Sequence, residues 1–293
     1  MLRPPRPLLG IALMLVAGMS FTILDGTAKL LVRHYPIAEV VWARYVFSLL
    51  SVTAFLPRHG LPGLVATRRL GLQLARAAML LAATAAMFVG LRFLPLADTY
   101  AITAAAPLIV AALAGPTLGE RIGGGQWLTI LCGFLGVLVV IRPGLGMVSW
   151  AAVFPLLMAT ANAGYQLLTR LLSGGERTAT TMFYTSLVGS VLMSAAMPLV
   201  WQPPDLQGWA LMALMGGAAF VGQLLLFLAF RFAPAPVVAP FAYSSILWAT
   251  IFGYLVFGDV PDGGTLLGAA IIVGSGLVLL VQGRRQRRQA AAA

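Results

Sequence analysis

Ten apolar runs follow one another along this chain with only short polar breaks, at approximately 8–32, 37–56, 70–91, 95–117, 125–141, 148–169, 179–200, 208–229, 235–257 and 264–282. A helix that crosses a bilayer needs roughly 20 apolar residues, so ten of them take up about 200. Little is left of the 293 residues except connections. With 60% hydrophobic and 9% charged residues, the chain cannot clothe a soluble domain in polar surface. The pattern predicts an all-α, polytopic membrane protein of ten transmembrane helices with the lipid bilayer as its solvent. The fourth run could break at Pro107. Arg3 and Arg6 before the first run give the start the outline of a signal peptide. It is expected to stay on the chain, because no small-x-small cleavage site ends the run and a counterpart recurs at 150–172.

A second constraint is a repeat. The stretch 91–116, LRFLPLADTYAITAAAPLIVAALAGP, returns in degenerate form at 230–254, FRFAPAPVVAPFAYSSILWATIFGY. In both copies Arg and Phe precede Pro (Arg92, Phe93, Pro95; Arg231, Phe232, Pro234), and an apolar helix with an internal proline follows. A short turn closes each copy, Gly119-Glu120 with Gly124-Gly125 and Gly258-Asp259 with Gly263-Gly264. A repeat built mostly of apolar residues points to a duplicated membrane unit. The expected units are residues 1–144, a first five-helix repeat, and 145–293, a second with a basic tail.

Charge orients these spans. With a cytoplasmic N-terminus, the inside segments hold Arg3, Arg6, Arg58, Arg68, Arg69, Arg121, Arg170, Arg177, Arg231, Arg284, Arg285, Arg287 and Arg288. The outside ends hold only Lys29, Arg33, Arg92 and Arg142. Cationic loops resist translocation, so both termini are expected in the cytoplasm. Five spans is an odd number, which inverts the second repeat relative to the first and gives the geometry of alternating access. The formal charge of +11 is therefore a topology signal and no nucleic-acid surface, since the basic residues never gather into one patch.

On these residues the chain resembles the drug/metabolite transporter superfamily in its EamA-type branch. The paired LRFLP and FRFAP starts, the GE and GD turns and the stretch P-x-x-x-V-x-W-x-R-Y at Pro36, Val40, Trp42, Arg44 and Tyr45 carry the resemblance. It is similar in particular to exporters of amino acids, aromatic ones included, in the bacterial inner membrane. The resemblance implies a secondary transporter and no enzyme, a small-molecule substrate, and export through a central cavity. No cofactor and no ATP module are expected, and ten helices suffice for a monomer to enclose its own path. Drug or cation efflux and a non-transporting membrane scaffold stand beside this reading.

Polar residues inside spans are the candidate site, because a charge at the bilayer centre costs on the order of 3 kcal/mol. Asp25 and Lys29 are four residues apart and can pair along one helical face. With Arg44, Asp98 and Glu39 they gather charge in the outer half of the first repeat, as a seal or as coupling and gating groups; Asp25 is the best candidate for a coupling carboxylate. Tyr100 and Thr103 share a face with Pro107, and Tyr243 occupies a similar face beside Pro240. Each proline frees a carbonyl one turn back, which is tolerated at depth only against protein or a wet cavity. Pro107 and Pro240 are thus the expected hinges, and Asn162, Tyr165, Gln223, Trp248 and Met79 are expected to line the cavity with the tyrosines and Thr103. Tyr and Thr also serve as interhelical glue. Arg76 is expected to snorkel to the cytoplasmic face. Trp42, Trp150, Trp201 and Trp209 read as interface anchors. GERIGGG lacks the Lys and the preceding strand of a phosphate loop. His34 and His59 lie on opposite sides, and Cys132 is the single cysteine, so no metal site is expected.

Overall fold

A computed structural model describes residues 6–55, 64–118, 123–142, 148–172 and 176–292. All regular structure among them is helical. The Gly119-Glu120 turn and the junction at Gly144 lie outside the described residues.

Prolines place most of the helix ends. α1, Pro7–Leu31, carries its proline in the first turn, where no backbone N–H is missed. Pro36 separates it from α2, Ile37–Phe55. α3, Leu70–Phe93, stops at Leu94, whose extended φ −113° and ψ 150° are those of a residue forced out of the helical region by the following Pro95. The fourth run is indeed broken beside Pro107, into α4, Leu96–Thr103, and α5, Ala106–Leu118. α6, Gly124–Ile141, ends on Arg142 in the left-handed region at φ 47°.

The second half begins with the short α7, Val148–Ala151, and α8, Val153–Leu172. α9, Thr178–Val200, follows, and then α10, Leu206–Phe232, capped by the Asp205 carboxylate accepting from the Gly208 N–H at 2.6 Å. Around Pro240 the chain changes pitch. α11, Ala235–Val238, passes into a 3₁₀ segment, Ala239–Tyr243, before α12, Ser244–Phe252, and a π turn, Gly253–Phe257, closed by Gly258 at φ 70°. α13, Gly263–Ala292, completes the chain.

Nine of the described helical stretches are long and apolar enough to cross a membrane. The tenth expected span, α8, falls short because Asn162, Tyr165, Gln166, Thr169 and Arg170 sit within its 20 residues. Of these, Asn162, Tyr165 and Thr169 are at least half-buried, and α8 packs along α3. The outer surface is apolar instead. Leu128, Leu131, Leu135 and Leu138 of α6 are all more than half exposed, as befits a face whose solvent is lipid. Cys132 lies on that outer surface too.

The two halves do not pack as separate bundles. α1 runs along α10 and α3 along α8, α2 packs against α9 and α10, and α6 against α13. The core is thus mostly the surface between the halves, with Leu24, Val40, Met87, Phe88, Leu91, Met212 and Met215 buried in it.

Close approach at these crossings needs glycine. A Cβ on Gly189 of α9 would run into the Tyr45 ring of α2, which is only 2% exposed and cannot step aside. Gly189→Val therefore overpacks the crossing and should destabilise the purified protein by about 1–3 kcal/mol. The check is a lowered melting temperature in detergent, with Gly217→Val, where a Cβ meets open space, as the control that stays near the unmodified value.

Candidate functional site

At mid-bundle, α2, α3, α9 and α10 leave a cavity of about 20 Å³ lined by Arg44, Tyr45, Ser48, Leu80, Met182, Thr185, Ser186, Ala219 and Gln223. That holds a water or two. Its wall is ordered by hydroxyls. Ser48 and Ser186 meet across it at 3.1 Å. Thr84 gives its proton to the Leu80 carbonyl at 2.8 Å, so the 3.0 Å contact between Tyr45 and Thr84 has the tyrosine as donor. Arg44 lies over the Tyr45 ring and donates to its hydroxyl at 3.3 Å.

Directly behind Thr185 and Gln223 lies Arg76, 1% exposed. Its guanidinium donates to Thr169 at 2.7 Å, to Thr185 at 2.8 Å, to the Thr181 carbonyl at 3.3 Å and to the Tyr165 hydroxyl at 2.6 Å. Thr169 and Thr185 send their own protons back to carbonyls one turn earlier, both at 2.7 Å. Their lone pairs are thereby left for the arginine. Gln223 reaches the same Tyr165 hydroxyl at 3.0 Å and joins this set to the cavity. Arg76 accordingly does not snorkel. Four oxygen acceptors on α8 and α9 lie nearer than the end of its own helix, and a charge that finds acceptors at depth has no reason to seek water.

Two end layers flank the cavity. At the end rich in tryptophan, Trp42 donates to Ser194 at 2.9 Å and packs edge-on to Trp201 with centroids 5.5 Å apart. Beside it the Gln202 N–H donates to Glu39 at 3.1 Å, and Tyr35 donates to Asp205 at 3.0 Å. The cap at Gly208 and that tyrosine hold the Asp205 carboxyl below its usual range. Lys29 pairs with Asp259 at 2.7 Å and lies over the Phe257 ring, and Arg142 pairs with Asp262. At the basic end, Glu176 accepts from Thr67 at 2.9 Å and from the Arg68 N–H at 3.0 Å, and Arg69 donates to the Leu171 carbonyl at 2.9 Å.

The expected pair of Asp25 with Lys29 does not form. Asp25 accepts from Tyr100 at 2.7 Å, while Lys29 goes to Asp259. Each found a partner elsewhere in the chain, Asp25 on α4 and Lys29 in the connection before α13. Asp98 accepts from Thr265 at 2.9 Å. Of the residues expected to line the cavity, Gln223 does so and Tyr165 stands one bond behind it. Tyr100 is buried against Asp25, and Thr103 is buried one turn on, bonding the Tyr100 carbonyl at 3.1 Å. Tyr243 instead packs on Gly276 of α13, its hydroxyl without a partner among the described residues, and Trp248 donates to the Leu15 carbonyl at 3.1 Å. Met79 is 39% exposed beside Gly164, and Asn162 is half-buried on α8. Arg44, expected as a gating charge, lines the cavity. Tyr45, Ser48, Thr185 and Ser186 were not singled out, although Thr181 and Thr185, one turn apart in an apolar helix, are a readable signal of an inward polar face. Among the described residues no three His, Cys, Asp or Glu side chains come together as metal ligands.

Comparison with known proteins agrees with this architecture. The EamA-like transporter family matches twice, over residues 8–142 and 149–281. A riboflavin transporter of Rhizobium johnstonii is 29% identical over 98% of this chain and 96% of its own. A pseudopaline exporter of Pseudomonas aeruginosa is 29% identical over 90% and 93%, and an S-adenosylmethionine uptake transporter of Rickettsia bellii 25% identical over 93% of each chain. One solved crystal structure superposes with a TM-score of 0.64 at 16% identity, over 93% of this chain and 98% of its own, a likeness of fold alone.

The Arg76 set gives a test of its geometry. A lysine keeps the charge but cannot reach three hydroxyls and a carbonyl held around a planar fork. Arg76→Lys should lower stability by about 2–3 kcal/mol, the scale of a charged hydrogen bond lost in the interior. A melting temperature equal to that of the unmodified protein would show that the guanidinium fork is not what holds α3 to α8 and α9.

Proposed function

The chain belongs to the EamA-like transporter family, and from that premise we propose that it carries a small polar metabolite by alternating access through the cavity at Arg44. It is a multi-pass membrane protein and a transporter, as its named relatives are, and no enzyme. The observation that supports the site is the mid-bundle cavity with a cationic, hydroxyl-rich wall between two layers of contacts.

On this reading the halves are inverted repeats, 1–144 and 145–293. The exchange of partners between them favours it, α1 with α10 and α3 with α8, because a two-fold axis in the membrane plane generates such pairs. The basic end faces the cytoplasm of a bacterial inner membrane and the tryptophan-rich end faces outward. A pocket for a drug-sized solute spans about 300–1,000 Å³, so a cavity of 20 Å³ belongs to a closed form that must widen toward one end and then the other. Bends beside Pro107 and Pro240 supply the give, and one chain suffices.

Amino acids with apolar or aromatic side chains are the smallest solutes this wall fits: Arg44 for the carboxylate, with Tyr45, Leu80 and Met182 for the body. The named relatives carry riboflavin, pseudopaline and S-adenosylmethionine, so the proposed class is wider than amino acids. The direction proposed is outward. Relatives named for export and for uptake are both present, which fits a carrier whose direction follows the gradients. Efflux of cationic drugs is the weaker reading, since no carboxylate lines the cavity.

Counterflow into liposomes holding the purified protein tests the proposal, with labelled phenylalanine, riboflavin, S-adenosylmethionine and a cationic dye. Exchange of one of the first three, lost when Ser186→Trp fills the cavity, is expected; exchange that survives the tryptophan would move the path elsewhere. Asp25→Asn addresses coupling. Flux should lose its dependence on a pH gradient, and an unaltered dependence removes Asp25 from the mechanism.

A further inference from the structure

Resting on the cavity as the substrate site, we propose that it selects an organic anion, a carboxylate on a ring-sized or short apolar body with no cationic group beside it. The cavity wall carries one formal charge, on Arg44. Its other polar members, Tyr45, Ser48, Thr185, Ser186 and Gln223, are neutral. Among the described residues no carboxylate comes within 4.0 Å of Arg44 or Arg76.

Arg76 adds to the positive field instead of being cancelled. Its donors are spent on two threonine hydroxyls, a tyrosine hydroxyl and a carbonyl, all neutral oxygens. Hydrogen bonds satisfy its N–H groups but leave its charge in place. Thr185, which accepts from Arg76, also lines the cavity, so the guanidinium lies one residue behind the wall. Asp25, on which Arg44 acts electrostatically, is held by Tyr100 and does not line the cavity. In the cavity wall itself the one formal charge is therefore positive.

A charge in a membrane interior is unfavourable unless an opposite charge meets it. A solute that brings one negative charge meets Arg44 on entering. One that brings an ammonium group finds no carboxylate in the wall and adds to its positive charge. Leu80, Met182, Ala219 and the Tyr45 ring supply the apolar side for the body of the solute, and the Ser48–Ser186 pair keeps one hydroxyl proton for the second carboxylate oxygen.

Three probes with one ring separate the charges. 3-Phenylpropionate has the carboxylate alone, phenylalanine the carboxylate and the ammonium, and phenethylamine the ammonium alone. In counterflow with the full-length protein, 3-phenylpropionate should half-saturate at about ten-fold lower concentration than phenylalanine, and phenethylamine should not compete. Arg44→Gln should raise the half-saturating concentration of 3-phenylpropionate about ten-fold or more, and Arg44→Lys should recover part of it. The comparison of the three probes uses the unmodified protein, so it stands even where a variant folds poorly. Phenylalanine taken in preference, competition by phenethylamine, or indifference of 3-phenylpropionate to Arg44→Gln in a folded variant each overturns the anion inference and leaves the cavity in place. Failure of 3-phenylpropionate to exchange, in a protein whose exchange of riboflavin or S-adenosylmethionine is blocked by Ser186→Trp, overturns it as well. Exchange unaffected by Ser186→Trp is the separate result that removes the cavity itself.

Discussion

A guanidinium in hydrocarbon has no water to turn to, and Arg76 is satisfied wholly by oxygen atoms of the other half of the chain. In lipid, every polar group must find its partner inside the protein. The same rule governs the remaining polar contacts. Glu39 with Gln202, Trp42 with Ser194, Lys29 with Asp259, Asp98 with Thr265 and Ser48 with Ser186 each join a residue before position 142 to one after 148. Neither half could stand in a bilayer alone without stranding these groups. The interleaved packing of α1 with α10 and α3 with α8 is the consequence.

Span positions were legible because they follow from apolar length, which needs no knowledge of neighbours. So was the break beside Pro107, since proline lacks the N–H that a continuous helix requires. Partners were not legible. Asp25 and Lys29 do stand one turn apart, yet their partners lie 75 and 230 residues away, and nothing local announces Tyr100 or Asp259. Arg76 was assigned to the cytoplasmic face for the same reason. Its acceptors lie on α8 and α9, and only the docking of those helices brings them nearer than water. One signal was present and passed over. α8 is two-sided: Tyr165 and Thr169 within it already mark a face turned to protein, while Val153, Leu157 and Leu171 are exposed.

The faces around Pro107 and Pro240 differ for a geometric reason. Tyr100 and Thr103 lie in an ordinary α-turn and keep a common face. Tyr243 closes a 3₁₀ segment, where residues advance at 3.0 per turn instead of 3.6. Over five residues the change swings the tyrosine away from the face that an α-helix would give it, onto Gly276. Trp248, downstream of the same segment, meets the backbone of α1. Pro240 therefore alters more than one missing hydrogen bond: it resets which residues of the following helix look inward.

The distribution of charge among these contacts also says which helices would travel together in alternating access. Arg76 binds α3 to α8 and α9 through charged hydrogen bonds, and such bonds contribute about 1.5–3 kcal/mol each when buried. Across the cavity, by contrast, α2 and α10 meet this group through neutral pairs: Ser48 with Ser186, Tyr45 with Thr84, Gln223 with Tyr165 and Trp42 with Ser194. Each of these is worth only about 0.5–1.5 kcal/mol net. A carrier needs two forms of similar free energy, so the surface that opens must be held weakly and the bodies that move must be held firmly. The cavity lies along the weak seam, with Arg44, Ala219 and Gln223 on one bank and Leu80, Met182 and Thr185 on the other. Under the proposed mechanism, α3, α8 and α9 are one moving body, kept whole by an arginine that would lose the acceptors of α8 or those of α9 if either helix were divided from α3.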